Sequence, residues 1–193
     1  MARWEPDARG RLEKAAMELF QEHGYARTTV EEIAARAGLT ERTFFRYFAD
    51  KREVLFSGSK DLENAIVDII ASAPDGALPF DAVAAAFEAA GVTLQERRHF
   101  SYVRARHALV AAHAEIQERE LIKLASLASA VTRALHARGV AEPAASLAAE
   151  AGIAVFKVGF EQWVAGKKPR DLAEHIRAAT DALKAIAAGT RAS

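Results

Sequence analysis

The sequence has no cysteine. It can therefore build neither a disulfide framework nor a thiolate metal site, and the absence fits a reducing compartment. It also lacks an excess of either charge, with 26 Lys/Arg balanced by 26 Asp/Glu. A strongly basic balance is the usual electrostatic footprint of nucleic-acid binding. Residues 1–60 hold 11 Lys/Arg against 10 Asp/Glu, so any such surface must come from local placement of charge. No run approaches the ~18 apolar residues of a membrane span. The N-terminus, Met1-Ala2-Arg3-Trp4-Glu5-Pro6-Asp7, lacks the apolar segment of a signal peptide. The expectation is a cytoplasmic protein with no membrane partner. Aromatic residues make up only 8%, while hydrophobic residues make up 51%. That composition suits an Ala/Leu-rich helical protein, either one core or a small module joined to a larger domain.

Helical periodicity runs through almost the whole chain, and no strand pattern stands out. Apolar positions from Leu12 to His23 repeat at i, i+3, i+4 and i+7, and Gly24 stops that helix. In Thr28-Thr29-Val30-Glu31-Glu32-Ile33 either threonine has a glutamate three residues on, so a capping box exists in both registers. Gly38-Leu39 makes a turn, and Thr40 caps a third helix. Asp50 is expected to cap a fourth helix running to about Ser72, on the order of 33 Å long. Pro74-Asp75-Gly76 breaks it. Further helices are expected at 79–90, 95–112, 115–138, 144–165 and 170–188, separated near Gly91, Gly139, Pro143 and Gly166-Lys167-Lys168-Pro169.

Three short helices with a tight glycine turn between the second and third read as a helix-turn-helix. On the third, Phe44 and Phe48 point inward, while Arg42, Thr43 and Arg46 point the opposite way with Phe45 and Tyr47 on the flanks. Such a face can meet base edges, thymine methyls and phosphates in a major groove, and Arg42 or Arg46 can pair with guanine. Lys51 is placed to reach a phosphate. The start of the second helix, at Thr28 and Thr29, offers N–H groups and a hydroxyl to another.

From Leu12 to about Leu55 the segments Glu18-Leu19-Phe20, Gly24-Tyr25, Thr28-Thr29-Val30, Glu32-Ile33-Ala34, Ala37-Gly38-Leu39 and Phe48-Ala49-Asp50-Lys51 agree in register with one pattern. The segment resembles the N-terminal domain of the TetR (tetracycline-repressor) family. The resemblance implies an all-α protein of about nine helices. Residues 1–50 would be the DNA-binding domain and 51–193 a helical ligand-binding and dimerisation domain. It also implies that Thr28, Thr29, Thr40, Arg42, Thr43, Phe45, Tyr47 and Lys51 occupy DNA-contacting positions. Three positions depart from the family's habit: Phe45 where tyrosine is frequent, Arg46 where an aromatic is common, and Tyr47 where histidine is frequent. A relative's contacts therefore do not transfer directly onto this helix.

Within 144–165, Leu147, Ala151, Ala154 and Val158 form one apolar stripe, and Ile153, Phe156, Phe160 and Trp163 another. A helix apolar on two sides must bury both. In the last helix Leu172, Ile176, Ala179, Leu183 and Ile186 follow the spacing of a bundle seam. Pairing these two helices with their copies gives a four-helix homodimer interface, as the resemblance also implies; the alternative is packing of both inside one monomer. Phe156, Phe160 and Trp163, joined by Phe87, Phe100, Arg104 and His107, either line a ligand cavity or fill an aromatic core. It is the resemblance that implies a pocket.

Enzymatic signatures are missing. Glu96-x-x-His99 is one half of a di-iron motif whose second half does not occur. There is no Gly-x-Gly-x-x-Gly, P-loop or Gly-x-Ser-x-Gly. The expectation is a non-enzymatic regulator with no cofactor, metal or catalytic residues. It would be a dimer on a palindromic double-stranded operator, released by a small apolar or amphipathic ligand. An activator, a ligand-independent factor, or a ligand-binding protein with a vestigial DNA domain fits the same residues.

Overall fold

The computed structural model describes residues 7–166 and 171–189. Among them the chain forms nine α-helices and one 3-10 helix: α1 (Ala8–His23), α2 (Val30–Arg36), α3 (Glu41–Tyr47), the 3-10 turn (Glu53–Phe56), α4 (Ser59–Ala71), α5 (Pro79–Arg97), α6 (Phe100–Ala112), α7 (Ala114–Ala137), α8 (Ala144–Ala165) and α9 (Leu172–Ala187). No described helix is long and apolar enough to cross a membrane. The break expected over Lys167, Lys168 and Pro169, and Trp4, lie outside the described residues.

The chain divides into two compact units, Met1–Gly58 with Ala105–Glu120, and Ser59–Arg104 with Leu121–Ser193. The first unit is thus discontinuous. It takes in the end of α6 and the start of α7, which nothing in the hydrophobic periodicity announces.

In the first unit Leu12, Leu19 and Phe20 of α1, Ile33 of α2, and Phe44 and Phe48 from α3 and its end are buried, with Val54, Leu55 and Phe56 of the 3-10 turn. The single helix expected from Asp50 to Ser72 is not formed. Asp50 instead accepts hydrogen bonds from the backbone N–H groups of Arg52 (2.8 Å) and Glu53 (3.2 Å), which closes a tight turn. Gly58 follows with φ 84°, a left-handed conformation that ends the turn before α4 begins. At 13 residues α4 is about 20 Å long.

In the second unit α5 packs against α4, α8 and α9, and α8 packs on α9. Their core includes Ile66, Ile70, Val83, Phe87, Val131, Leu135, Ile153, Trp163, Leu172 and Ile176. Gly91 does not break a helix as expected. It lies inside α5, where an added Cβ would come within 2.8 Å of the Ile176 side chain. Gly159 of α8 meets Ile176 as well, with a virtual Cβ 2.8 Å from its backbone nitrogen. These glycines let α9 lie close on both α5 and α8, so their cause is tertiary.

Candidate nucleic-acid interface

The loop from Gly24 to Thr29 joins α1 to α2. Gly24 leaves α1 at φ 83°, and its N–H still donates to the Phe20 carbonyl at 3.1 Å. Thr28 is buried, and its hydroxyl donates toward the carbonyls of Gly24 (3.0 Å) and Leu19 (3.3 Å). It fastens the loop, and its hydroxyl is not offered to a phosphate. Lys51 differs from expectation in the same way. Its ammonium donates to the carbonyls of Tyr25 (2.8 Å) and Thr28 (2.9 Å), with a longer contact to Ala26 (3.4 Å). It also lies 4.4 Å from the centre of the Tyr25 ring. The lysine gathers loop carbonyls that have no helical partner.

Thr29, rather than Thr28, caps α2. Its hydroxyl accepts from the Glu32 N–H at 3.2 Å, while Glu32 accepts from the Thr29 N–H at 2.8 Å. That N–H, together with the Thr29 hydroxyl, holds the Glu32 carboxyl below its ordinary range. At the turn Gly38 takes φ 68°, and Leu39 N–H donates to Ala34 at 2.8 Å. Thr40 then caps α3 through the Thr43 N–H at 3.2 Å, and the two threonine hydroxyls lie 3.1 Å apart.

These caps fix α3 with Phe44 and Phe48 inward, their rings 5.5 Å apart. Outward stand Arg42, Phe45 (54% exposed), Arg46 and Tyr47 (41% exposed), with Thr43 half-buried. Arg46 lies 4.9 Å over the Tyr47 ring and donates to its hydroxyl at 3.1 Å. Of the DNA-contact candidates, Thr29, Thr40, Arg42, Thr43, Phe45, Arg46 and Tyr47 lie at the starts of α2 and α3 or along α3. Thr28 and Lys51 support the loop behind them.

Ala105–Glu120 belongs to this unit through specific ties that sequence reasoning missed. Arg106 donates to the Leu55 carbonyl (2.7 Å) and to Glu120 (2.9 Å), and lies 5.1 Å over Phe56. Arg119 pairs with Glu53. The Tyr25 and His113 rings are 5.0 Å apart. Burial, with the Glu115 carboxylate adding to it, pushes the Tyr25 phenol well above its usual value. The available signal was a run of charged residues (Arg104, Arg106, His107) on a helix with little amphipathic character, which a solvated face explains equally well.

In the second unit the aromatic candidates form one continuous row. Phe87 and Phe156 are 5.6 Å apart, Phe156 and Phe160 5.9 Å, Phe160 and Trp163 5.9 Å, and Trp163 and Phe100 4.8 Å. Phe87 and Trp163 are buried, and the other three are half-buried. Arg104 lies 5.7 Å over Phe100. His107 falls in the other unit.

The two proposed dimer helices differ. On α8, Leu147 (67% exposed) and Val158 (45% exposed) are open with Ala154, and Ala151 is half-buried. On α9, Leu172, Ile176 and Ala179 are buried in the chain's own core, which corrects their assignment to a seam between copies. The stripe is consumed by α5 and α8, which the glycines bring within reach. Leu183 is half-buried, and Ile186 (67% exposed) remains outward.

Residues 12–57 match the family model described as "Bacterial regulatory proteins, tetR family". TcmR, an HTH-type transcriptional regulator of Streptomyces glaucescens, is 40% identical over 81 residues, which cover 42% of this chain and 36% of that protein. The chain thus matches about a third of that relative's length. Among solved structures, a TetR-family regulator from Syntrophomonas wolfei superposes with TM-score 0.67 at 21% identity, over 95% of this chain and 96% of that one. SmeT, repressor of the Stenotrophomonas maltophilia multidrug efflux pump SmeDEF, gives TM-score 0.59 at 23% identity, over 93% and 89%. SmeT is also known in complex with triclosan. The structural likenesses establish a shared fold along nearly the whole chain.

Proposed function

We propose, from the match of residues 12–57 to the tetR family of bacterial regulatory proteins, that the chain is a ligand-released transcriptional repressor. It binds a palindromic operator as a homodimer. The observation that carries the reading is the outward face of α3. Two arginines and two exposed aromatic side chains stand on a helix whose opposite side is locked by Phe44 and Phe48. No described carboxylate pairs with Arg42 or Arg46, whereas Arg36 is paired with Glu22 and Arg52 with Asp50. Two cations left uncompensated on one exposed face, in a chain of zero net charge, favour an anionic groove as partner.

Dimerisation uses α8 through Leu147, Ala151, Ala154 and Val158, with Leu183 and Ile186 of α9 beside them. Two reading helices related by a two-fold axis then meet half-sites in successive major grooves, ~34–36 Å apart. The ligand is a small apolar or amphipathic molecule received along the aromatic row of Phe87, Phe156, Phe160, Trp163 and Phe100. The SmeT–triclosan complex supports this choice by analogy of fold. Phe100 opens α6, and the same helix from Ala105 onward belongs to the DNA-binding unit.

Selection from random duplexes tests the reading. The protein should enrich a palindrome, retard it as one discrete species, and release it on addition of an aromatic amphiphile that also changes Trp163 fluorescence. Failure to prefer any duplex over random DNA would refute it.

A further inference from the structure

The α3 face contains a pair of neighbours that acts as one device. At about 100° per residue, the inward direction of α3 is the midpoint of Phe44 and Phe48. Arg46 then lies about 180° from it, Arg42 about 140°, and Phe45 and Tyr47 about 80° on either side. Arg46 therefore stands at the centre of the exposed face, the direction that meets base edges when a helix lies in the major groove. Tyr47 stands on the flank, yet it reaches Arg46 twice, with its ring beneath the guanidinium at 4.9 Å and its hydroxyl accepting from Nη2 at 3.1 Å.

Four other arginines of this unit are held by carboxylates: Arg36 by Glu22, Arg52 by Asp50, Arg106 by Glu120 and Arg119 by Glu53. A carboxylate fixes a guanidinium and cancels its charge together. A neutral phenol fixes it and leaves the charge intact. Stacking on an aromatic face and one hydrogen bond also remove much of the rotamer freedom a long side chain would otherwise lose on binding.

Resting on the proposed function, we infer that Arg46 is the base-reading residue of the half-site, that its partner is a guanine presenting O6 and N7, and that Tyr47 is its positioning residue. A guanidinium edge offers two parallel N–H donors, and only guanine presents two acceptors side by side in the major groove. Phe45 and Tyr47, on the flanks, face the groove walls.

The test is selection from random duplexes, followed by affinity measurements on the selected duplex and its single-base variants. It uses wild type, Arg46→Ala, Arg46→Lys, Tyr47→Phe and Tyr47→Leu, all exposed substitutions. Arg46→Ala should abolish preference for one G·C pair per half-site, a loss of about 5–160-fold at that position alone. Arg46→Lys keeps the charge without the fork, and should retain general affinity while losing most of that discrimination. Tyr47→Phe should keep the same consensus with weaker discrimination at the same base pair, and Tyr47→Leu should weaken it further. A structural role for Tyr47 would instead lower affinity for all duplexes equally. If Arg46→Ala weakens every duplex alike and lowers the salt slope by about one, Arg46 is a phosphate contact and the inference fails. If Tyr47→Phe and Tyr47→Leu discriminate as well as wild type, the positioning role fails. If the wild-type protein itself selects no sequence, the regulator reading falls and this inference falls with it.

Discussion

Replacing Lys51 by methionine separates two physical roles that its sequence position confounds. In the structure the ammonium is half-buried, donates to the Tyr25 and Thr28 carbonyls at 2.8 and 2.9 Å, and lies 4.4 Å over the Tyr25 ring. Hydrogen bonds to a charged group contribute about 1.5–3 kcal/mol each, and a cation–π contact about 0.5–1 kcal/mol. Methionine keeps the stem's packing and removes all of these. Water reaches part of the loop, since Ala26 is exposed, and so replaces some of what is lost. The net destabilisation is therefore nearer about 2–4 kcal/mol than the gross sum. Urea unfolding followed by far-UV circular dichroism should show the midpoint falling with little change in slope. Operator affinity should fall because the loop that presents Thr29 loosens, while the dependence on salt stays as in wild type. The opposite pattern would refute this reasoning: an unchanged midpoint with a salt slope lower by about one identifies Lys51 as a phosphate contact.

Leu147→Glu combined with Val158→Glu should leave the monomer folded, because both side chains are already exposed, yet abolish the dimer in analytical ultracentrifugation. A wild-type monomer at micromolar concentration would rule out the α8 interface. Gly159→Ala places a Cβ 2.8 Å from the Ile176 backbone nitrogen, which cannot rotate away. Overpacking of this kind costs about 1–3 kcal/mol, so calorimetry should show Tm lower by roughly 2–12 °C. An unchanged Tm would mean that α8 and α9 are not held that close. The Arg52 guanidinium, aided by the backbone N–H groups of Glu53 and Arg52, holds the Asp50 carboxyl below its usual value. A depressed carboxyl contributes stability that is present above its unfolded pKa and is lost as pH falls through the folded one. The stability gap between wild type and Asp50→Asn should therefore be open at neutral pH and close in acid. A gap constant across the acid range would contradict that assignment.

The readings that held from sequence alone were those set by local physics. Thr29 with Glu32, and Thr40 before Phe44, mark helix starts because a capping side chain satisfies N–H groups two or three residues away. Gly24 and Gly38 mark ends because the chain there turns through positive φ. The inward placement of Phe44 and Phe48 follows from the helical repeat. Together these specified the helix-turn-helix and the residues on its outer face. The failed helix from Asp50 has a local cause, the Asp50 turn and Gly58 at positive φ, whereas the other failures depended on partners distant in sequence. Gly91 looks like a breaker until α9 is seen lying against the helix that carries it. Leu172, Ile176 and Ala179 form an apolar stripe in either environment, and periodicity cannot say whether a neighbour in the same chain or a second copy covers it. Lys51 reads as a free cation because the three carbonyls that bind it lie 23 to 26 residues away. The sequence by itself determined where α1, α2 and α3 lie and that Phe44 and Phe48 turn inward while Arg42, Phe45, Arg46 and Tyr47 stay outward. Tertiary structure alone decided which apolar faces are consumed internally, which cations are engaged, and that Ala105–Glu120 belongs with α1, α2 and α3, because burial and pairing depend on proximity in space.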